Sequence, residues 1–426
     1  MTESDRYDVI VIGGGPAGSA TATFIAQGGR SVALLERERF PRFRIGESLM
    51  PATYWSLERL GVLGKMRCSH FPHKRSVQFF SKSGRAAVPF YFSETEPGPS
   101  SQTWQVDRGE FDQMLLENAR AQGVDVCQEA RVTDVLFDGE RARAVRVRFN
   151  DGSERELGSR VVVDASGQSA FLARRLKLKQ GDPNLMQSSF FTRYRGAWRG
   201  GGIDEGATLI LYTAEPRTWF WYIPLPDDIV SVGVVGPLDR LVKGRDGTPQ
   251  QVFDQEVAKC SAVHERIQGS EQIQDVRVLK DFSYSSRRIA GNGWVLVGDA
   301  FGFLDPIYSS GVFLALKGGE FAADSILAAL RQNDLSAATL GRHGEQFLAG
   351  VEAFRKLVYA YYSEDFNFAG FLRRFPERKD DLVNLLIGNV YTKDVTGLLE
   401  SMDEFCQLPE YQPFRIEEPL PGTVKD

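Results

Sequence analysis

Residues 8–18, DVIVIGGGPAG, constrain the fold more than any other part of the chain. Residues 8–12 are an apolar run that ends in glycines, as in a strand buried on both faces of a parallel sheet. Residues 16–28 follow as a helix of small residues, and residues 31–36 as a second apolar strand. The sequence therefore predicts a βαβ unit at the start of an α/β fold.

Three glycines at the junction of this strand and helix, Gly13, Gly15 and Gly18, form a GxGxxG pattern. The first allows a tight turn, the second lets the backbone approach a pyrophosphate, and the third lets the helix pack closely on the strand. The helix N-terminus attracts the negative charge. Glu36, at the end of the second strand, is placed to accept hydrogen bonds from a ribose. Together these residues predict dinucleotide binding.

Composition narrows the class of protein. At 426 residues, with 42% hydrophobic and 25% charged residues, the chain is long enough for two or three domains or one composite unit. Its net charge of −5 argues against a nucleic-acid partner. The four cysteines lack metal-ligand spacing, which predicts reduced thiols and no metal site. Without a signal peptide or a transmembrane segment, the sequence predicts a cytoplasmic protein.

Two further segments separate FAD from NAD. RGEFD at residues 108–112 and WVLVGDAFGF at residues 294–303 are not needed by a simple NAD domain. With residues 8–18 they resemble the flavoproteins that include aromatic hydroxylases, geranylgeranyl reductases and flavin-dependent halogenases. The resemblance implies FAD, with Arg108 by the flavin, Asp299 at the ribityl chain and Asp164 in support. A turn aspartate that caps the next helix is the alternative for Asp299.

The cofactor-binding residues predicted from the pattern and the resemblance are Gly13, Gly15, Pro16, Ala17, Gly18, Glu36, Arg37, Arg44, Ile45, Ser48, Arg108, Val132, Asp164, Gly298, Asp299, Pro306, Gly311 and Val312.

The aromatic strand WFWYIP at residues 219–224 places Trp219 and Trp221 on one face, because strand side chains alternate. Such pairs usually serve core packing. The pattern WxWxIP nevertheless resembles the signature of the flavin-dependent halogenases, where it is implied to lie between flavin and substrate. We therefore predict Trp219 and Trp221 as walls of the substrate pocket.

FPHKR at residues 71–75 carries the second halogenase resemblance. A single loop lysine is normally a solvated surface charge. The family's active-site lysine, however, falls on Lys74, which we predict to be the catalytic residue. Lys65, on the preceding amphipathic segment, is predicted to be ordinary surface.

FLDPIYSSGV at residues 303–312 carries the third. Ser310 and Gly311 are predicted to precede a helix, whose free N–H groups suit an anion; a plain serine N-cap is the alternative. The resemblance implies a halide site at Ser310 and Gly311. Tyr308 stands where tryptophan halogenases have a glutamate, which favours the branch that acts on phenols and pyrroles, some of them tethered to carriers.

The resemblance implies a domain plan. An α/β FAD-binding domain with a Rossmann-like GxGxxG motif comprises residues 1–80, 100–185 and 275–330. An inserted antiparallel β-sheet domain for the substrate comprises residues 81–99 and 186–274, and a helical C-terminal region comprises residues 331–426.

The implied reaction uses FADH2 from a separate flavin reductase, O2, and chloride or bromide to form hypohalous acid. Lys74 relays the oxidant, as a haloamine or by hydrogen bonding, to a small electron-rich aromatic that is free or carried by a protein. A reductase like the geranylgeranyl reductases and an FAD-dependent aromatic hydroxylase remain alternatives, as does a flavin-containing binding protein.

Overall fold

The computed structural model describes residues 6–243 and 246–410. The strands are β1 (Arg6–Ile12), β2 (Val32–Leu35), β3 (His73–Lys74), β4 (Ser76–Phe80), β5 (Phe90–Tyr91), β6 (Thr103–Trp104), β7 (Asp125–Cys127), β8 (Ala130–Asp138), β9 (Arg141–Phe149), β10 (Glu154–Asp164), β11 (Lys179–Gly181), β12 (Gln187–Arg195), β13 (Thr208–Tyr212), β14 (Trp219–Pro224), β15 (Ile229–Pro237), β16 (Glu271–Gln272), β17 (Arg277–Lys280), β18 (Tyr284–Ser286), β19 (Ala290–Gly291), β20 (Trp294–Leu296) and β21 (Gly302–Phe303).

The α-helices are α1 (Pro16–Gln27), α2 (Thr53–Arg59), α3 (Leu63–Arg67), α4 (Arg108–Ala121), α5 (Phe171–Arg175), α6 (Leu238–Leu241), α7 (Pro249–Ala258), α8 (Ser261–Ile267), α9 (Ser310–Gln332), α10 (Ala337–Leu340), α11 (Gly344–Tyr362), α12 (Phe368–Arg374), α13 (Lys379–Ile387) and α14 (Thr396–Phe405).

The first sheet is the dinucleotide-binding type that the sequence predicts. Its strands run in the order β19-β20-β10-β1-β2-β7, and β20, β10, β1, β2 and β7 are parallel to their neighbours in this group. The hairpin β8–β9 extends it by pairing β9 antiparallel to β10. Helix α1 packs against α4 and α9. A side chain on Gly319 would lie 2.7 Å from Thr21 Oγ1, so the glycine allows α9 to approach α1 closely.

The second sheet has the order β16-β12-β15-β14-β13-β4-β5, with β17 also paired to β12. The predicted antiparallel sheet in residues 188–235 is confirmed in β12 to β15. Strands β4 and β17 also hydrogen-bond into this sheet, although they lie outside the ranges 81–99 and 186–274 that we assigned to the substrate domain. Those boundaries follow aromatic composition, whereas sheet membership follows pairing across the fold.

The two faces of the second sheet bury different cores. Trp219 and Trp221 point into the core that the first sheet and the C-terminal helices share. Phe220 and Tyr222 point the other way, beneath α7 and α8. The alternation predicted for β14 is therefore confirmed, and the two tryptophans face the rest of the molecule.

The C-terminal region is helical through α14, while residues 411–426 of the predicted region lie outside the described residues. Helix α11 packs on α9 and contributes Phe354 and Tyr359 to the shared core. Among the described residues, no helix has both the length and the apolar character needed to cross a membrane.

Candidate active site

The N-terminus of α1 forms an open cradle. Gly15 is its N-cap residue, and no side chain caps the helix there. A Cβ on Gly18 would lie 1.9 Å from the carbonyl oxygen of Gly13, so only glycine permits this turn. Pro16 and Ala17 begin the helix and leave its first N–H groups accessible to an anion in front of it.

Arg42 faces this cradle, and sequence analysis missed it. Its Nη2 atom lies 3.6 Å from the Cβ position of Gly15, and its Nη1 donates to Asp112 over 2.5 Å. Its buried Nε has no hydrogen-bond partner among the described residues. An unpartnered buried guanidinium N–H beside an uncapped helix N-terminus fits a bound phosphate. Its signal in the sequence was the basic run from residue 37 to 44, which we interpreted only as a loop near an anionic cofactor.

Glu36 stands at the end of β2, beside the cradle. Its two carboxylate oxygens accept the N–H groups of Gly14 (2.7 Å) and Glu38 (2.8 Å), and each oxygen retains a free lone pair. Val132, on β8, lies two residues beyond Ala130, whose N–H donates to the Glu36 carbonyl oxygen over 2.9 Å. This arrangement suits a ribose and its base at the edge of the sheet.

Arg37 and Arg44 lie farther along the same segment and have protein partners. Arg37 Nη1 donates to Ser169 Oγ over 3.2 Å, and Arg44 pairs with Glu38. Both arginines are partly exposed.

Arg108 fixes the loop that follows this basic segment. It forms a bidentate pair with the fully buried Asp112, at 2.8 and 3.0 Å, and its Nη1 donates to the carbonyl oxygen of Ile45 over 2.7 Å. Ser48 is held on the second sheet, with its Oγ 2.9 Å from Thr208 Oγ1. Residues 45–48 are thus tied to both sheets.

The two predicted aspartates differ in their surroundings. Asp164 ends β10 and accepts the N–H groups of Ser166 (2.9 Å) and Leu172 (2.7 Å), so it holds the turn that leads into α5. Asp299 follows Gly298 after β20. Desolvation raises the Asp299 pKa to about 6, and the charge of Arg108 opposes this rise. Asp299 does not cap α9, whose N-cap residue is Ser309.

Lys74 is buried, although the sequence placed it in a loop. The short strand β3 pairs it with Thr103 on β6, and its side chain is 3% exposed. Its Nζ donates to the carbonyl oxygen of Leu49 over 3.0 Å and lies 5.7 Å from the centre of the Phe92 ring. Burial lowers the Lys74 pKa from 10.5 to about 7. The amine can therefore exist in both protonation states near neutral pH.

Lys74 lines a mainly apolar cavity that we call the lysine cavity. Its other lining residues are Pro51, Val77, Phe79, Phe90, Phe92, Thr208, Ile307, Tyr308, Ser309 and Leu386. They come from the second sheet, from the turn before α9 and from α13. None of them carries a carboxylate.

A turn separates the lysine cavity from a second cavity. Ser309 is in the left-handed region, with φ +57°, and its N–H donates to the Pro306 carbonyl oxygen over 3.0 Å. Helix α9 then begins at Ser310, so Ser310 and Gly311 lie inside its first turn and not before the helix, as we predicted. The left-handed residue moves the helix start, and periodicity alone does not reveal it. Val312 is buried in the same first turn.

We call the second space the flavin-side cavity, because it joins the predicted halide residues to the GDA segment. Ser310 and Gly311 line it together with Gly298, Asp299 and Phe303. The turn thus presents Tyr308 and Ser309 to the lysine and presents Ser310 and Gly311 to the flavin segments.

The two tryptophans of WxWxIP do not line the lysine cavity in the described part of the chain, contrary to their prediction as pocket walls. Trp219 and Trp221 are 1% and 5% exposed, and both indole N–H groups are used inside the protein. Trp219 Nε1 donates to Tyr362 over 3.0 Å, and Trp221 Nε1 donates to Ser231 over 3.2 Å. The sequence identified the shared face but not which neighbours cover it.

The comparisons with known proteins follow this geometry. The family model described as tryptophan halogenase matches residues 8–99 and 81–369. The chain belongs to this family of flavin-dependent halogenases. As a member, it is an enzyme that uses FADH2, a halide ion and O2, and its family sets aside the reductase, hydroxylase and binding-protein alternatives.

Two curated relatives cover nearly the whole halogenase. A 1H-pyrrole-2-carbonyl-(peptidyl-carrier protein) chlorinase of Pseudomonas fluorescens is 32% identical over 97% of this chain and 96% of its own length. A 1H-pyrrole-2-carbonyl-(peptidyl-carrier protein) brominase of Pseudoalteromonas luteoviolacea is 33% identical over 91% and 93%.

Solved structures agree with the fold. The flavin-dependent brominase Bmp2 superposes with a TM-score of 0.83 at 31% identity, covering 94% of this halogenase and 98% of that chain. The myxobacterial chondrochloren halogenase CndH gives a TM-score of 0.79 at 31% identity, covering 94% and 95%. The predicted combination of an FAD-binding α/β fold with a second sheet is thereby confirmed.

Proposed function

We propose that this halogenase transfers chlorine or bromine to a pyrrolyl group tethered to a carrier protein, with Lys74 as the relay and a separate flavin reductase as the source of FADH2. The observation that carries the proposal is the position of Lys74. It is buried in an aromatic cavity that is separated from the flavin segments by only the turn before α9. The carrier-tethered pyrrole is the substrate named for the two relatives that span most of the chain.

The residues around the cradle fit the cofactor. The uncapped N-terminus of α1 and Arg42 would hold the pyrophosphate, Glu36 the ribose, and Asp299 the ribityl chain. Bound reduced FAD would supply, with O2, the oxidising equivalents that convert a halide ion into hypohalous acid. Ser310 and Gly311 would hold that halide with the free N–H groups of the 23-residue helix α9.

Lys74 would receive the hypohalous acid in the lysine cavity. As an ammonium it would donate a hydrogen bond to the oxygen and make the halogen more electrophilic. As a neutral amine its nitrogen would attack the halogen, so that an N–X bond forms, the O–X bond breaks, and the amine proton leaves with the oxygen as water. A pKa of about 7 permits either course.

The aromatic ring of the substrate would then complete the transfer. A ring carbon attacks the halogen, a C–X bond forms, and the bond from the halogen to oxygen or nitrogen breaks. The ring proton is lost to water or to the freed amine. Because no carboxylate lines the lysine cavity, the chain offers no second acid beside Lys74. A ring that is already electron-rich, such as a pyrrole, suits this arrangement.

Tyr308 supports the same substrate class. It occupies the position of the glutamate in tryptophan halogenases, and burial raises its pKa well above the ordinary value. Its hydroxyl donates to the Leu357 carbonyl oxygen over 3.4 Å, and its ring lies against Tyr361. It therefore shapes the cavity as a neutral aromatic wall.

The test combines the enzyme, a flavin reductase, NADH, FAD, O2 and either halide with three acceptors: pyrrole-2-carbonyl on a carrier protein, free pyrrole-2-carboxylate, and a simple phenol. We expect mass spectrometry to show the halogen isotope pattern on the carrier-bound pyrrole, at least tenfold above the free acid. Halogenation of the phenol with no carrier-bound product would overturn the choice of substrate. A hydroxylated product would overturn the reaction.

A further inference from the structure

The two tryptophans of WxWxIP each start a chain of hydrogen bonds that ends at a buried carboxylate. Trp219 donates to Tyr362, and the Tyr362 hydroxyl donates to Asp305 over 3.0 Å. Trp221 donates to Ser231, and the Ser231 hydroxyl donates to Glu47 over 3.3 Å. Both carboxylates are 1% exposed. The two chains start from one face of one strand and run to opposite sides.

The first chain ends in the turn that holds the predicted halide site. Asp305 accepts Tyr362 on one carboxylate oxygen and the N–H of Ile307 on the other, over 2.9 Å. Ile307 is followed directly by Tyr308 and Ser309 and then by the first residue of α9. A carboxylate with both oxygens engaged fixes the entry of this turn relative to the second sheet and to α11.

The second chain ends in the loop that holds the lysine. Glu47 accepts Ser231 on one oxygen and Arg193 on the other, over 3.0 Å. Two residues later, the carbonyl oxygen of Leu49 accepts the Lys74 amine. Trp221 itself is seated on Gly233, where any Cβ would lie 2.2 Å from the indole. The position of the indole therefore defines the position of this loop.

We infer that Trp219 and Trp221 are positioning residues that brace the two ends of the oxidant's path, the halide turn through Tyr362 and Asp305 and the lysine loop through Ser231 and Glu47. The inference rests on the proposed roles of Ser310, Gly311 and Lys74. It explains why the motif needs tryptophan at both positions, since phenylalanine has the same ring character but no N–H donor. It also gives the first predicted difference between the two indoles.

The mildest variants remove one hydroxyl each. Tyr362→Phe breaks the first chain, and Ser231→Ala breaks the second. Tyr359→Phe is the matched control for the first, because it lies on the same helix and loses a buried hydrogen bond to Asp182 of 2.7 Å. Ser188→Ala is the control for the second, because it lies in the same sheet and loses a bond only to the Gly236 carbonyl oxygen.

Two readouts do not depend on catalysis. In a double-mutant cycle on unfolding, Tyr362→Phe and Trp219→Phe should be non-additive because they share one chain. Tyr362→Phe and Ser231→Ala should be additive. By amide hydrogen exchange, Tyr362→Phe should speed exchange at Ile307 about tenfold and leave Leu49 unchanged, whereas Ser231→Ala should speed exchange at Leu49 and leave Ile307 unchanged.

Kinetics then separate the two arms from a general loss of stability. Tyr362→Phe should raise the KM for bromide about tenfold, with an unchanged yield of product per halide oxidised. Ser231→Ala should leave that KM unchanged and lower the yield several-fold. Additive cycles within a chain, or equal changes in the controls, would overturn the inference. If the wild-type enzyme gives no halogenated product, the proposed function fails, while the cycles and the exchange rates still decide the brace.

Discussion

Lys74 combines a basic side chain with an apolar site, and this combination has a cost in stability. Its amine has one hydrogen-bond partner, the Leu49 carbonyl oxygen, and an aromatic ring, Phe92, nearby. The pKa falls from 10.5 to about 7 because burial disfavours the charged form. The folded protein therefore pays to keep a titratable amine at the place where an oxidant would arrive.

Replacement of Lys74 by methionine should relieve this cost in a pH-dependent way. Below pH 7 both the folded and the unfolded chain carry the charge, and the penalty is complete. Between about pH 7 and 10.5 the unfolded chain binds more protons than the folded one, so the wild type gains stability as pH rises. We expect Lys74→Met to be more stable than the wild type at pH 6, by on the order of 4 kcal/mol.

Denaturant unfolding at a series of pH values measures this difference. The advantage of Lys74→Met should shrink as pH rises from 7 towards 10. A difference that stays constant over this range would show that the Lys74 pKa is not lowered in the folded enzyme.

At the scale of elements, the sequence predicted the opening unit best. Strand β1, helix α1 and strand β2 begin and end within about two residues of the prediction, and α4 ends one residue before it. Glycine spacing, proline at a helix start and apolar runs are local signals. They define such elements without knowledge of the rest of the fold.

The elements around the site depend on distant partners, and the sequence predicted them less well. Strand β3 exists because Lys74 pairs with Thr103, and no local pattern distinguishes it from a loop. The start of α9 depends on the left-handed Ser309. Arg42, Glu47 and Asp305 were missed because each acts through a neighbour from another segment. The hairpin β8–β9 was also missed, although its alternating burial offered a signal.

The βαβ unit gives an element-scale prediction. In Gly18→Ala the added methyl would collide with the Gly13 carbonyl oxygen, which is backbone and cannot move without opening the turn. We expect a loss of about 2–3 kcal/mol in unfolding free energy and at least tenfold weaker FAD binding.

Gly64→Ala is the control, because α3 leaves open space at that position. Flavin fluorescence titration and thermal unfolding compare the two variants. Wild-type affinity for FAD in Gly18→Ala would mean that the cofactor does not bind at the α1 cradle.

At the scale of the whole molecule, the site forms where three parts share one core. The ends of the first sheet supply Asp299 and the turn before α9, the second sheet supplies Phe79 and Thr208, and the C-terminal helices supply Leu386. The sequence named Lys74, Ser310 and Gly311 through a resemblance. Their arrangement on the two sides of one turn follows only from the packing of distant segments.

This arrangement separates two steps in space, halide oxidation on the flavin side and halogen transfer on the lysine side. The central claim is that Lys74 carries the second step alone. Lys74→Ala should therefore lose halogenation of the carrier-bound pyrrole by at least 100-fold. Oxidation of bromide should continue, and a hypohalous-acid scavenger in solution should record it.

Lys65→Ala, at an exposed position on α3, should behave as the wild type in both assays. The most direct measurement is thus the ratio of halogenated carrier to scavenged hypobromous acid in Lys74→Ala against Lys65→Ala. The account predicts that this ratio collapses in the first variant only. Regioselective halogenation retained in Lys74→Ala would contradict it.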